Sequence, residues 1–389
     1  MTKEIYNKIL TDKIPVEALA FDYCNKSYPL ITEEEAEDYV HTKAEIDTPV
    51  IGKNGLPKYV ILKGYIDSIN NQHYYCNVLT GFSKYNLSVN SDMTVSCNCK
   101  LRGCGLLGNL REQTLQEIYD SKTVNSLRQS LANGFLPTAS CAYRCSELVS
   151  SPKSLANYYK DNYSVPNVMM FENTSFCNMK CKGCYNEYIE KSTVSENDTR
   201  LFANECKKHE IKTIYLFKYG ESFFDKELAK KIAIIREVLP SVYISVSTNG
   251  VLINSEIMYE AAMLFDSITF SLDGVDNESI TSFQTNGNFD VVYHNMCEIV
   301  KRKNDMLLSK PRIIWKYVLF PENDSEENIK KAFDLAVNSG IDSLSFYPGF
   351  NTITNSDRIW SSNIFLEYFK KYKFVYRNSS YSLEFNLRS

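Results

Sequence analysis

Three cysteines stand four and then three positions apart in Cys177-Asn178-Met179-Lys180-Cys181-Lys182-Gly183-Cys184, just downstream of the apolar run Val168-Met169-Met170-Phe171. Thiolates gathered at the end of a strand suit a soft metal, either zinc or an iron–sulfur cluster. Three ligands are one short of a closed site. A metal position left open is what catalytic centres keep and structural centres avoid.

Further polar groups recur at regular intervals. Lys218-Tyr219-Gly220-Glu221 follows the apolar run Thr213–Phe217, Ser247-Thr248-Asn249-Gly250 follows Val242–Val246, and Ser271-Leu272-Asp273-Gly274 closes Ser267–Leu272. The glycine of the first permits close backbone approach, and Glu221 can accept from an ammonium group. The hydroxyls, amide and carboxylate of the other two suit a ligand with hydroxyls and a zwitterionic end. Each tetrapeptide alone is ordinary turn chemistry; their recurrence at successive strand ends, facing one mouth, is what gives them weight.

The elements that must position these groups alternate strictly. Apolar runs Val168–Phe171, Thr213–Phe217, Val242–Val246, Ser267–Leu272, Ile313–Phe320 and Ser343–Phe346 read as strands. Stretches 196–209, 225–238, 254–264, 289–303 and 325–338 between them read as helices. Six β/α units in alternation predict an α/β fold, a parallel sheet covered by helices in a TIM-like partial barrel. In such a fold the chemistry lies on loops at the carboxyl ends of the strands, where the thiol triplet falls.

Composition narrows the context. The chain has 389 residues, 44% apolar, with net charge −4. That is enough for a large core, and it gives no basic field to attract nucleic acid or an anionic membrane. The amino terminus lacks the apolar core of a signal peptide and no run reaches membrane-spanning length, so the expectation is a cytoplasmic protein. Twelve cysteines in a reducing compartment point to metal or chemistry rather than disulfides. Eight fall into tight groups: Cys97/Cys99/Cys104, Cys141/Cys145 and Cys177/Cys181/Cys184. Cys24, Cys76, Cys206 and Cys297 are scattered and read as small buried hydrophobes. None of the four histidines adjoins a cysteine group, which favours ligation by thiolate alone.

Upstream of the barrel the expected organisation is an unassigned segment 1–57, a small α+β domain over 58–150, and a polar connector from Ser151 to Pro166. The barrel then occupies 166–350, and 351–389 is a packing segment. Tyr59–Leu62, His73–Val78 and Met93–Cys97 read as strands of a small antiparallel sheet delivering Cys97. Thr114-Leu115-Gln116-Glu117 has the form of a capping box opening a helix through Ile118. A second helix around Val124–Leu131 stops at Asn133-Gly134. Cysteine groups on either side of a helical segment can fold back onto one metal centre, with a zinc knot as the alternative.

Taken together, the CxxxCxxC after the first strand, Gly-Glu after the second, Thr-Asn-Gly after the third and Ser-Leu-Asp-Gly after the fourth resemble the radical S-adenosylmethionine (SAM) enzymes. The resemblance covers about residues 167–350. It implies a [4Fe–4S] cluster on Cys177, Cys181 and Cys184, whose fourth iron is chelated by the amino and carboxylate groups of SAM. It further implies that Gly220 and Glu221 meet the SAM amino group. Ser247, Thr248, Asn249, Ser271 and Asp273 would surround its ribose and methionine portions, and Tyr185 would lie near its adenine. Two positions depart from the pattern: Gly183 stands where many members carry an apolar side chain, and the second motif reads Tyr-Gly-Glu rather than Gly-Gly-Glu.

Residues Val95–Cys99, Leu107–Tyr119 and Leu136-Pro137 leading to Cys141 resemble a SPASM or twitch domain, here preceding the barrel instead of following it. That resemblance implies a second, auxiliary [4Fe–4S] cluster on Cys97, Cys141 and Cys145, with Cys99 or Cys104 as the fourth ligand. The implied activity is reductive cleavage of SAM, hydrogen abstraction, and oxidation or cross-linking of a peptide or small-molecule substrate. An external donor such as flavodoxin or ferredoxin would supply the electron. A redox-neutral epimerase is the alternative, with Cys297, Cys206 or a tyrosine as hydrogen donor. A zinc-stapled binding protein is the reading of a different class.

Overall fold

The computed structural model describes residues 73–81, 87–97, 106–134, 147–182, 184, 186, 189–348, 363–377 and 382–388. The turn and strand expected between Gly52 and Leu62 lie outside these residues. The chain divides into two compact units, one of Met1–Phe171 with Leu201–Lys212, the other of Glu172–Arg200 with Thr213–Ser389.

In the first unit, β1 (His73–Cys76) gives way directly to α1 (Asn77–Thr80), which ends at Gly81 with φ +88°. The strand expected over His73–Val78 therefore stops two residues early. It also pairs elsewhere, since β2 (Leu87–Val89), β3 (Thr94–Ser96) and β4 (Leu106–Asn109) form an antiparallel meander. The expected single antiparallel sheet is thus two.

The helices follow their local signals. Thr114 caps α2 (Leu115–Tyr119), its hydroxyl accepting from Glu117 N–H at 3.2 Å while the Glu117 carboxylate accepts from Thr114 N–H at 2.8 Å. This reciprocal arrangement satisfies two backbone donors that a helix start leaves free. The next helix, α3 (Lys122–Ala132), is capped by Ser121 and ends at Asn133-Gly134. Buried Arg128 on α3 ties the unit together by donating to Leu79 O and Tyr119 O at 2.9 and 2.8 Å. Antiparallel to β1 lies β5 (Leu148–Ser151), the two forming a separate sheet. The expected connector carries a helix, α4 (Lys153–Asp161), and leads to β6 (Val168–Phe171), which pairs parallel with β2.

The second unit opens with a two-residue strand, β7 (Lys180–Cys181), inside the thiol segment. Helix α5 (Glu196–Lys208) runs from this unit into the first. The sheet then builds from β8 (Thr213–Tyr215), with α6 (Leu228–Val238) leading to β9 (Tyr243–Thr248) and α7 (Glu256–Met263) to β10 (Ser267–Ser271). After β10 come α8 (Asn277–Thr281), β11 (Gln284–Thr285) and α9 (Phe289–Asp305), then β12 (Arg312–Leu319), α10 (Glu326–Ser339) and β13 (Ser343–Pro348). Within the unit β8, β9, β10, β12 and β13 are parallel neighbours in that order. The carboxyl-terminal stretch supplies α11 (Asn363–Lys371) and a hairpin of β14 (Lys373–Arg377) and β15 (Ser382–Asn386). Antiparallel pairing of β15 with β13 covers that strand's edge. The result is an α/β fold on a mixed, mainly parallel sheet, consistent with a partial barrel.

Alternation along the strands separates two faces. On β12, Ile313, Trp315, Tyr317 and Leu319 are fully buried, whereas Arg312, Ile314, Lys316 and Val318 are half-buried. The buried face holds an aromatic core in which Phe333 stacks on Tyr368 with ring centroids 3.5 Å apart and packs against Phe346. Trp315 Nε1 donates to Leu272 O at 2.7 Å and the Tyr317 hydroxyl to Asn323 O at 2.8 Å, so these large side chains bury no unsatisfied donor.

Candidate functional site

The thiol segment is held by backbone and amide hydrogen bonds from three neighbouring loops. Glu221 N–H donates to Phe176 O at 2.8 Å, and the Asn186 side chain donates to Ser175 O and Tyr219 O at 2.8 and 3.0 Å. The Asn249 side chain donates to Asn178 Oδ1 at 2.8 Å and reaches Cys177 Sγ at 3.9 Å. Cys177 Sγ also accepts from Met179 N–H at 3.5 Å. On the far side β7 pairs antiparallel with β11, Cys181 opposite Gln284, and Lys182 N–H donates to Phe283 O at 3.0 Å. A segment without regular structure of its own is thereby fixed on both flanks of its thiols.

Gly220 is where the second loop crosses this segment. A Cβ at Gly220 would lie 1.8 Å from the carbonyl oxygen of Thr174, so only glycine fits without backbone movement. The next residue, Glu221, is 3% exposed, and three donors converge on its carboxylate. Thr248 Oγ1 and Phe223 N–H reach Oε1 at 2.8 and 3.2 Å, and Asn249 N–H reaches Oε2 at 2.7 Å. Burial raises the Glu221 pKa, opposed by these hydrogen bonds. Beneath the loop, Lys231 on α6 pairs with Asp225 at 2.7 Å, with side chains 1% and 3% exposed. Asp225 also accepts from Asn173, whose amide in turn donates to Ser222 O.

At the third and fourth strand ends, the hydroxyls of Ser247 and Ser271 face one another at 3.2 Å. Asp273 is 4% exposed; its carboxylate accepts from Val318 N–H and its carbonyl from Asn323, both at 2.8 Å. Burial pushes the Asp273 carboxyl up to about 6, against the opposing charge of Lys316 and the Val318 hydrogen bond. Gln284 spans the same loop, donating to Ser271 O at 2.9 Å and accepting from Asp273 N–H at 3.3 Å. The side chains of Cys177, Cys181, Glu221, Asn249 and Asp273 thus gather on the loops of one unit.

Residues 172–360 match the sequence profile of the Radical SAM superfamily. This segment is a radical SAM domain. Among curated proteins, the chain is 31% identical over 124 residues to a probable GTP 3′,8-cyclase of Methanocella arvoryzae, covering 31% of this chain and 38% of that protein. It is 26% identical over 114 residues to the FeMo cofactor biosynthesis protein NifB of Methanocaldococcus jannaschii, covering 26% and 38% respectively. The chain therefore spans well under half the length of these relatives. Among solved structures it is similar to Streptococcus suis SuiB bound to S-adenosylmethionine, with TM-score 0.44 and 14% identity over 66% of this chain and 60% of that one. It is also similar to TYW1 with a lysine-pyruvate adduct bound, with TM-score 0.40 and 14% identity over 54% and 76%.

Radical SAM proteins carry a [4Fe–4S] cluster and SAM, and the donor set of this domain fits that pair. Cys177, Cys181 and Cys184 are half-buried free thiols. Burial pushes Cys177 up to about 11 and Cys181 up to about 12, so a metal must displace their protons on binding.

Gly183 and Tyr185 lie outside the described residues, as do Cys99, Cys104, Cys141 and Cys145. Cys97 is 8% exposed, just past the end of β3. Cys206 is fully buried on α5, and Cys297 lies on α9 in contact with Tyr293, on a helix and not at a strand end. No described helix is long and apolar enough to cross a membrane. Sequence reading missed Asn178, Asn186, Gln284 and Asn323, amides whose partners lie far along the chain. Lys316 did carry a signal, as the lone charge inside the apolar run Ile313–Phe320.

Proposed function

We propose that this protein reductively cleaves SAM and uses the resulting radical to abstract a hydrogen from a peptide or small-molecule substrate, which it then oxidises or cross-links. The observation that carries this reading is the anchoring of an open three-thiol segment against the Glu221, Asn249 and Asp273 loops. Cys177, Cys181 and Cys184 would hold a [4Fe–4S] cluster, and the chemistry this group would supply is one-electron reduction of the SAM sulfonium, the source of the radical.

The chain's own residues would then have distinct tasks. Gly220 lets the second loop lie flat on the thiol segment. Glu221, already committed to Thr248 and Asn249, orients the edge that meets the SAM amino group. Ser247 and Ser271 offer hydroxyls to its ribose, and Asp273 holds the fourth loop to β12. Tyr185 would serve the adenine. A barrel enclosing the radical would have to exclude water and other hydrogen donors from it. Cys97, Cys141 and Cys145, with Cys99 or Cys104, would carry the auxiliary [4Fe–4S] cluster that accepts the substrate electron, and a flavodoxin or ferredoxin would reduce the first.

Anaerobic reconstitution tests this. The expected result is brown protein with near eight irons per chain, if two cubanes form, that cleaves SAM on reduction. Cys177→Ala should abolish cleavage and Cys141→Ala should spare part of it. Colourless, zinc-loaded protein without cleavage would overturn the reading. Loss of two hydrogens from substrate would mark oxidation; unchanged mass with solvent deuterium uptake would mark epimerisation instead.

A further inference from the structure

The sheet of the second unit ends at β14. Strand β15 lies between β13 and β14, and among the described residues no strand pairs with the outer edge of β14. Strand edges open to solvent are commonly blunted by a charge or a proline within the strand. The middle of this one is Phe374-Val375-Tyr376, with exposures of 47%, 44% and 47%. Phe374 is also continuous with the core. Its ring centroid lies 4.5 Å from that of Phe369 and 6.3 Å from that of buried Phe385, which meets Phe333 edge-on at 5.0 Å. The aromatic core thus runs out to solvent along this edge.

Positive charge gathers at one end of it. Lys370, Lys371 and Lys373 are exposed, and among the described residues none of them pairs with a carboxylate. Lys371 lies 5.2 Å from the centre of the Tyr372 ring. Lys370 and Lys371 close α11, where cations suit the helix dipole; Lys373 stands on the strand and has no such account. The chain as a whole has net charge −4, so this excess is local.

An open edge offers main-chain hydrogen bonds, and the side chains beside it select the sequence that takes them. We infer that β14 receives an extended, acidic segment of a partner polypeptide as a further antiparallel strand. Branched aliphatic residues of that segment lie beside Phe374 and Tyr376, which alternate onto one face, and its carboxylates lie beside Lys373. A second copy of the chain fits less well. Pairing two β14 strands antiparallel about Val375 sets Lys373 opposite Arg377, basic against basic. The edge serves this role whether or not SAM is cleaved.

Fluorescence anisotropy with the full chain tests the edge, using fluorescein-labelled Glu-Glu-Ile-Thr-Val-Glu-Glu as the probe. Saturable binding is expected, and the peptide with lysine at its four glutamates should bind about tenfold or more weakly. Val375→Lys, and Lys371→Glu combined with Lys373→Glu, should each weaken binding about fivefold or more with unchanged urea melts. Of two probes N-methylated at alternate residues, one should lose about tenfold or more and the other stay within about threefold, because only one set of N–H groups faces the strand. No saturable binding, equal binding of the lysine peptide, or equal binding of both N-methylated probes would overturn the inference. So would a wild-type dimer in sedimentation velocity that Val375→Lys dissociates, which assigns the edge to a second copy.

Discussion

Thr248 Oγ1 donates to Glu221 Oε1 at 2.8 Å, joining the third strand end to the second through a carboxylate that is almost wholly buried. With Asn249 N–H on the other oxygen, the pair locks the two loops that flank the thiol segment. Thr248→Val removes one donor from a buried carboxylate and should cost about 1–3 kcal/mol in denaturant unfolding. Glu221→Gln should cost at least as much, because its amide cannot accept from both Oε1 donors and the Asn249 N–H at once. SAM affinity by calorimetry should fall further for Glu221→Gln than for Thr248→Val.

Gly220→Ala is expected to be disproportionately harmful. Its methyl would meet the Thr174 carbonyl, a backbone atom that cannot rotate aside. The thiol segment must shift, and iron content after reconstitution and cluster EPR should both change, while the far-UV spectrum stays near wild type. Wild-type iron content and EPR in the alanine variant would show that the close approach is relaxed in solution.

Asn249 reaches Cys177 alone of the three thiols, and hydrogen bonds to a ligating sulfur stabilise the reduced, more negative cluster. Asn249→Ala should therefore lower the reduction potential followed by EPR-monitored titration. A potential that rises or stays unchanged would deny the contact that role.

Lys231 and Asp225 form a buried pair that supports the Glu221 loop from below. Lys231→Met leaves Asp225 charged and unpaired and should cost about 3–5 kcal/mol. Pairing it with Asp225→Asn, which keeps an acceptor for Asn173, should recover much of that loss. Equal stability of the single and double variants in urea melts would show that the pair is not coupled.

Asp276 sits at the start of the helix that precedes the strand opposite Cys181. It caps α8, accepting from Ser279 N–H at 2.9 Å, and pairs with Lys331 at 3.0 Å. Those hydrogen bonds, the Ser279 backbone foremost, hold its carboxyl down to about 2, below the ordinary 3.8. A depressed folded-state value means the contribution is complete above the ordinary pKa and is lost as pH falls toward 2. Asp276→Ala should destabilise by about 1 kcal/mol at pH 7, with the difference shrinking below pH about 4. Because α8 leads into β11, opposite Cys181, hydrogen exchange at Lys180–Cys181 should quicken in the variant. Unchanged exchange there would separate the cap from the thiol segment.

What the sequence determined by itself was local and periodic. The helix capped by Thr114, the strand Val168–Phe171 and the alternation from β8 to β13 follow from contiguous hydrophobic patterns and turn residues, which act within a few positions. The positions of the thiols and of the loop motifs were legible for the same reason. Tertiary structure decided everything that depends on which distant groups meet. His73–Cys76 pairs with Leu148–Ser151 because partner choice is not encoded in a strand's own alternation. Glu221 is committed to Thr248 and Asn249, Cys181 is paired with Gln284, and Lys231 is buried on Asp225 across intervals no local pattern spans. Arg312 meets Glu384 only because the hairpin strand β15 pairs with β13, seventy-two residues on.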